Sequence, residues 1–211
     1  MGVRSAASSL GSIFATFVLA AVTGEARGDE KLTDPAVPDT EVRVLVGLGF
    51  GVEAEHLLLQ QRLRVGLGVY DVFNMGQARV AWRLAGSPRS ALWIRGGLFG
   101  QAATPATCKE EDRGWAVDGG LEYRALARNG AGFSVALGAE DLVRDHGQGC
   151  GEFTLRSGTS AGVVADITGR VPILVPGLAL YSRAGIRTAD HVGDMPLLPE
   201  LWLGLAYAFG D

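Results

Sequence analysis

The sequence predicts an all-β fold: a single antiparallel up-and-down transmembrane β-barrel of eight strands, with ten as the alternative, following a cleaved signal peptide. Three observations predict it. Apolar residues recur at every second position in segment after segment, the signature of strands whose faces differ. Glycine supplies 31 of 211 residues, about twice ordinary usage, with no Gly-X-Y period that would mean collagen. Those glycines share the less apolar face with charges of both signs.

In chain order, residues 1–26 carry one charge near the start (Arg4), an apolar run from Ile13 to Val22, and small residues at Gly24 and Ala26. That layout is a secretory signal peptide, and its apolar run falls short of the roughly 20 residues a membrane-spanning helix needs. Residues 27–41 hold seven charges and two prolines without apolar periodicity, and read as a flexible, solvated periplasmic leader. The barrel is expected over 42–209.

Within it, Val42, Val44, Val46, Leu48, Phe50 and Val52 alternate with Arg43, Gly47, Gly49, Gly51 and Glu53. The same alternation recurs along the chain. Leu63, Val65, Leu67 and Val69 oppose Arg62, Arg64, Gly66 and Gly68, and Trp115, Val117, Leu121 and Tyr123 oppose Asp118, Gly120, Glu122 and Arg124. Phe133, Val135 and Leu137 oppose Ser134, Gly138 and Glu140; Val163, Ala165 and Ile167 oppose Gly162 and Asp166; Leu178, Leu180 and Ile186 oppose Arg183, Gly185 and Arg187. Residues 91–101 form a strand of less clear polarity.

A soluble sandwich or lipocalin-like barrel turns its bulky face inward, whereas a transmembrane barrel turns it to lipid and fills a narrow lumen with the polar face. Small residues on the polar face suit a crowded interior. The mixed signs of Arg43, Glu53, Arg62, Arg64, Asp118, Glu122, Arg124, Glu140, Asp166, Arg183 and Arg187 suit pairing inside a closed lumen. Lysine occurs only at Lys31 and Lys109, outside the strands, although soluble edges and surfaces use it freely.

Nine candidate strands emerge, at 42–54, 59–72, 76–86, 90–102, 113–127, 132–144, 153–168, 177–188 and 198–209. Bacterial single-chain barrels have even numbers with both termini periplasmic, so one assignment before residue 90 is in error, and eight is the leading count. Asn129-Gly130 is expected to make a type I′ hairpin turn.

The closing segment Leu201-Trp202-Leu203-Gly204-Leu205-Ala206-Tyr207-Ala208-Phe209 resembles the C-terminal strand of bacterial outer-membrane β-barrel proteins, which ends on an aromatic residue with another two positions before it. Here Phe209 stands third from the end. The resemblance covers 42–209 and is one of class, akin to the small barrels of the OmpA and OmpX kind, without the periplasmic peptidoglycan-binding domain of a full OmpA-like chain. It implies a bacterial outer-membrane location, with Tyr207 and Phe209 as the signal read by the outer-membrane assembly machinery. It also implies membrane lipid and lipopolysaccharide as surroundings, and a monomeric state.

Cys108 and Cys150 fall in loops expected at one end of the barrel, and an exported pair is expected as a disulfide between extracellular loops. The pairs Asp145-His146 and Asp190-His191 lie in loops at that same end. A carboxylate beside an imidazole can orient a general base, similar to omptin-type surface proteases, although those carry more elaborate acidic pairs in a larger barrel. A loop metal site from Asp145, His146, Asp190, His191 and Asp194 matches no strong ligand spacing. The His-x-Ser pair of lipid-A deacylases is missing after His56, His146 and His191 alike. No cofactor or metal is therefore expected, and the net charge of −4 argues against a nucleic-acid partner. The expectation is a non-enzymatic structural or surface-interaction protein with a closed lumen. A narrow, porin-like pore for small solutes, a surface hydrolase and a soluble exported ligand-binding barrel stand as alternatives.

Overall fold

The computed structural model describes residues 34, 37–47, 49–70, 75–103, 112–145, 158–188 and 198–209. Ten strands follow in order: β1 (Thr40–Val46), β2 (Phe50–Leu58), β3 (Leu63–Tyr70), β4 (Met75–Ser87), β5 (Ser90–Ala103), β6 (Asp112–Leu126), β7 (Gly132–Asp145), β8 (Gly158–Pro172), β9 (Leu178–Arg187) and β10 (Leu198–Phe209). Each pairs antiparallel with its sequence neighbours, and β1 pairs with β10 from Thr40↔Phe209 to Val46↔Leu203, which closes the barrel. Closure leaves no free edge running the length of the sheet.

The count is ten, so the leading expectation of eight is corrected. The first candidate strand, 42–54, is two strands joined at 47–49, where the Gly47 N–H donates to the Gly49 carbonyl at 2.9 Å. Val46 opposes Phe50 across this hairpin. A three-residue link returns the chain with its even positions still on the same face, so the alternation runs through the turn unbroken. The second turn is equally silent in sequence. Leu59, Gln60 and Gln61 link β2 to β3 with φ of 49°, 56° and 61°, left-handed values that usually call for glycine or asparagine. β8 runs to Pro172, past the expected end at 168. The Asn129-Gly130 link is also corrected: Gly130 has φ 83° and Asn129 is not left-handed, so it is not a type I′ turn, which needs both.

The connections sort by barrel end. Links 59–62, 88–89, 127–131 and 173–177 lie at one end with Thr40 and Phe209; the strand ends at Val46, Phe50, Tyr70, Met75, Ala103, Asp112, Asp145, Gly158, Arg187 and Leu198 lie at the other.

Exposed apolar side chains ring the outside, among them Val46, Leu67, Leu98, Leu137, Ile167, Leu180 and Leu203. Aromatic residues mark both margins of this belt. Tyr123, Phe133, Tyr207 and Phe209 sit toward the tight-turn end, with ring centroids 6.1 Å apart for Tyr123–Phe133 and 4.7 Å for Tyr207–Phe209. Phe50 and Trp115 sit toward the opposite end. Along β6, Trp115 and Tyr123 are separated by eight residues, roughly 27 Å of strand, or about 20 Å of height at a tilt near 40°.

Of the stretch expected as leader, residues 34 and 37–41 are described, and Thr40 and Glu41 belong to β1. β1 starts at Thr40, and Val37 is buried against Leu57, Ala81, Ala91, Trp93 and Leu126. An apolar side chain within a charged segment gains more from this cluster than from water. The Gln61 Nε2 group donates to the carbonyls of Asp34 and Val37, each at 3.2 Å, and to Asp39 Oδ1 at 3.0 Å; its Oε1 accepts from the Asp34 N–H at 2.9 Å. Arg89 pairs with Asp34 at 2.5 Å, and that hydrogen bond raises the guanidinium pKa further above its ordinary value.

Candidate functional site

The lumen is layered from apolar to charged to apolar. Along β5, Ala91 and Trp93 near the tight-turn end give way to Arg95 and then to Phe99; along β6 the order is Leu126, then Glu122 and Asp118, then Ala116. The tight-turn end is floored by the cluster that Val37 completes. Toward the loop end, Phe99, Ala116 and Leu142 form one cluster, which Met75 joins to a second that runs along the barrel wall from Leu45 and Tyr70 past Trp202 to Tyr181, Ala179 and Ala206 near the tight-turn end.

Between these layers, buried arginines and carboxylates form a continuous network. Arg43 Nε meets Glu41 Oε1 at 2.7 Å, Nη1 meets Glu53 Oε2 at 3.2 Å, and Nη2 meets Glu55 Oε2 at 3.3 Å. Arg170 reaches the other oxygen of Glu41 at 2.9 Å, and Arg124 reaches Glu55 Oε1 at 2.6 Å. Arg64 pairs with Glu122. Arg183 bridges to Glu53 at 3.2 Å, Asp166 at 3.1 Å and Glu200 at 3.2 Å, while Arg95 holds Asp166 Oδ2 at 2.6 Å. Arg187 pairs with Glu140 at 2.8 Å and Glu200 at 2.7 Å, with Asp118 at 3.8 Å.

Neutral groups complete it. The Tyr70 hydroxyl donates to Glu53 Oε1, to which Gln77 Nε2 also donates at 3.0 Å. Guanidinium carbons lie over aromatic rings, Arg43 over Tyr181 at 4.7 Å, Arg64 over Trp93 at 4.9 Å and Arg187 over Phe99 at 5.3 Å. Stacking of this kind satisfies the guanidinium faces while the edges serve the carboxylates. Such burial is tolerated because nearly every charge is paired and hydrogen-bonded.

Of the residues expected in the lumen, Arg43, Glu53, Arg64, Asp118, Glu122, Arg124, Glu140, Asp166, Arg183 and Arg187 face it. Arg62 does not. Its N–H donates to the carbonyls of Leu58 and Leu59 at 3.1 and 3.2 Å within the 59–62 turn, so it belongs to no strand face. The alternation already puts Arg79, opposite Ala78 and Val80, Tyr181, opposite Leu178 and Leu180, and Trp202, opposite Leu201 and Leu203, on the polar face, where the structure finds them; sequence reasoning missed Glu41, Glu55, Arg95, Arg170 and Glu200, and the lumenal rings of Tyr70, Trp93 and Phe99. Parity alone would have found several of these. Glu55 continues the face of Glu53, and Glu200 that of Trp202.

Tyr207 and Phe209 close β10 on the outer face. The histidine His56 also faces outward, its Nδ1 2.7 Å from Thr40 Oγ1. Cys108, Cys150, His146, Asp190, His191 and Asp194 lie outside the described residues, as does 1–26; Asp145 ends β7. Among the described residues, no group of His, Cys, Asp and Glu side chains is arranged to hold a metal ion.

No protein-family model matches the chain. No curated protein matches it either. Among solved structures, the chain is similar to the transport unit of the autotransporter AIDA-I from Escherichia coli, with 11% identity, a TM-score of 0.33, and 94% of this chain and 98% of that one covered.

Proposed function

We propose that this protein is a bacterial outer-membrane β-barrel with a closed, charge-filled lumen and a structural or surface-interaction role. The observation that carries the reading is the inversion of the two faces: large apolar side chains stand exposed around the whole exterior while ion pairs fill the interior. In water, an exterior of this kind would be an aggregation surface; against hydrocarbon it is the favourable arrangement, and the aromatic margins and short turns at one end agree with it. The tight-turn end is then periplasmic and the end carrying the longer links extracellular. Outer-membrane lipid and lipopolysaccharide cover the belt, and the assembly machinery reads β10 through Tyr207 and Phe209. The barrel acts as a monomer and carries out no catalysis of its own.

The test is membrane fractionation combined with a gel run with and without boiling in detergent. Recovery in the outer membrane with a band that shifts on boiling supports the reading. A freely soluble periplasmic protein refutes it.

A narrow pore is the second reading, favoured by one observation: the charged layer borders a partly open cavity of about 80 Å³. Planar-bilayer recordings separate the two. Discrete conductance steps support the pore, and a silent bilayer supports the closed lumen.

A further inference from the structure

One link at the tight-turn end differs in chemistry from the rest. From Val171 to Leu180 the chain reads VPILVPGLAL, without a charged or hydrogen-bonding side chain, and the 173–177 link lies at its centre. Leu174 is fully exposed there, with Val171, Ile173 and Val175 37–58% exposed. The other links at this end carry Arg62, Arg89 and Arg128, and the one that also exposes Leu59 sets it beside Gln60, Gln61 and Arg62. Arg170, next to the apolar stretch, turns inward: its Nη1 donates to the Gly130 carbonyl at 2.7 Å and its Nε lies 2.9 Å from Glu41 Oε2. An exposed apolar tip with no polar side chain in its own link marks a surface that something other than water covers.

Lipid is the occupant that the surroundings favour. The link continues the outward row of β8, from Val163 through Ile167 and Val171 to Ile173, and the Tyr207 ring stands beside Gly177. Gly169 is the residue opposite Phe133, and the row runs on from it for roughly 13 Å of strand to Ile173, so the apolar exterior passes beyond the aromatic margin at this corner. The backbone of the link also suits a medium poor in water. The N–H groups of Ile173 and Leu178 donate to the Leu178 and Val175 carbonyls at 3.0 Å, the Gly177 carbonyl accepts from Ala208 at 2.8 Å, and Pro176 has no N–H to satisfy. Strand order puts links 59–62 and 88–89, with Arg62 and Arg89, across the mouth. Tilting accommodates an apolar surface longer than the local hydrocarbon, and here it draws the apolar corner toward lipid while the cationic corner moves toward water. On the basis of the outer-membrane reading, we propose that the 173–177 link is a lipid anchor: Ile173, Leu174 and Val175 are immersed at the boundary between headgroups and acyl chains of the periplasmic leaflet, and the barrel axis is tilted to hold them there.

The experiment uses the full barrel with Cys108 and Cys150 replaced by Ser, carrying a polarity-sensitive NBD fluorophore on a single cysteine, Leu174→Cys, Asn129→Cys or Leu137→Cys, in phosphatidylcholine vesicles. With iodide on both sides of the membrane, quenching at 174 should be at least about threefold weaker than at 129, and a nitroxide high on the acyl chain should quench 174 more than one near the chain end does. Val175→Cys replaces Leu174→Cys if that variant does not fold. Iodide quenching at 174 equal to that at 129 overturns the anchor. Protection at 174 that disappears as the barrel is diluted in lipid also overturns it, because a second copy is then the cover. Position 137 keeps the two failures apart. Lipid quenching at 137 with iodide quenching at 174 sinks the anchor alone, and iodide quenching at both sinks the outer-membrane reading beneath it.

Discussion

Replacing Arg183 by Met tests whether the ion-pair network holds the barrel together. The Arg183 side chain is 3% exposed and contacts Glu53, Asp166 and Glu200 at 3.1–3.2 Å. At an effective dielectric of about 20, three such contacts are worth roughly 12 kcal/mol of gross attraction. Much of that is offset, because the guanidinium lost its hydration on burial and because each carboxylate keeps another arginine. Glu53 retains Arg43 at 3.2 Å, Asp166 retains Arg95 at 2.6 Å, and Glu200 retains Arg187 at 2.7 Å. The expected net loss is that of breaking one buried ion-pair set, about 3–5 kcal/mol. Equilibrium urea unfolding in lipid vesicles, followed by tryptophan fluorescence, reads it directly. Glu53→Gln removes a partner carboxylate, so the double variant Arg183→Met/Glu53→Gln should be more stable than the sum of the single losses by about 1–3 kcal/mol. A loss under about 1 kcal/mol for Arg183→Met, or strict additivity in the double variant, refutes the network as a source of stability.

A Cβ at Gly204 would stand 2.0 Å from the Val44 carbonyl oxygen, whereas one at Gly100 would meet nothing within 4 Å. Gly204→Ala should therefore cost at least about 1–3 kcal/mol by forcing the β1–β10 seam apart, with Gly100→Ala near neutral in the same unfolding assay. Leu137 is 62% exposed on the outer face of β7, so Leu137→Arg should cost about 2–4 kcal/mol in vesicles if it faces the middle of the bilayer; an unchanged unfolding midpoint would place that face in water. Gln61→Ala deletes the four hydrogen bonds that hold the Asp34–Asp39 stretch across the barrel mouth, at about 0.5–1.5 kcal/mol each. Amide exchange at Val37 should then accelerate at least tenfold relative to wild type, and unaltered exchange would show that the stretch is held by something else.

Which face looks outward was legible because a period of two needs no knowledge of partners. On β7 the contrast is plain, with Phe133, Val135 and Leu137 alternating with Ser134 and Ala136. β5 resisted the same treatment. Its lumenal positions include Trp93 and Phe99, which cap the charged layer from either side, so both faces are apolar and the contrast vanishes. Turn positions were legible only where composition marked them. The 47–49 link preserves parity, and the 59–62 link holds three left-handed residues with no glycine, its conformation secured by the grip of Gln61 on the leader rather than by local propensity. Glu41 was assigned to the leader because charge density there is high, yet its carboxylate is claimed by Arg43 beside it and by Arg170 from across the lumen. Arg170 is distant in sequence, and no window of neighbouring residues contains it.

The central claim is that the exterior belt meets hydrocarbon. Single nitroxide labels at positions 133 to 138 of β7, in a protein with Cys108 and Cys150 replaced by Ser and reconstituted in lipid vesicles, test it most directly. Oxygen accessibility should be high at 133, 135 and 137 and low at 134, 136 and 138, because the odd positions look outward and the even ones into the lumen. Greater accessibility of the odd positions to a water-soluble nickel reagent than to oxygen would place the apolar face in water and contradict the account.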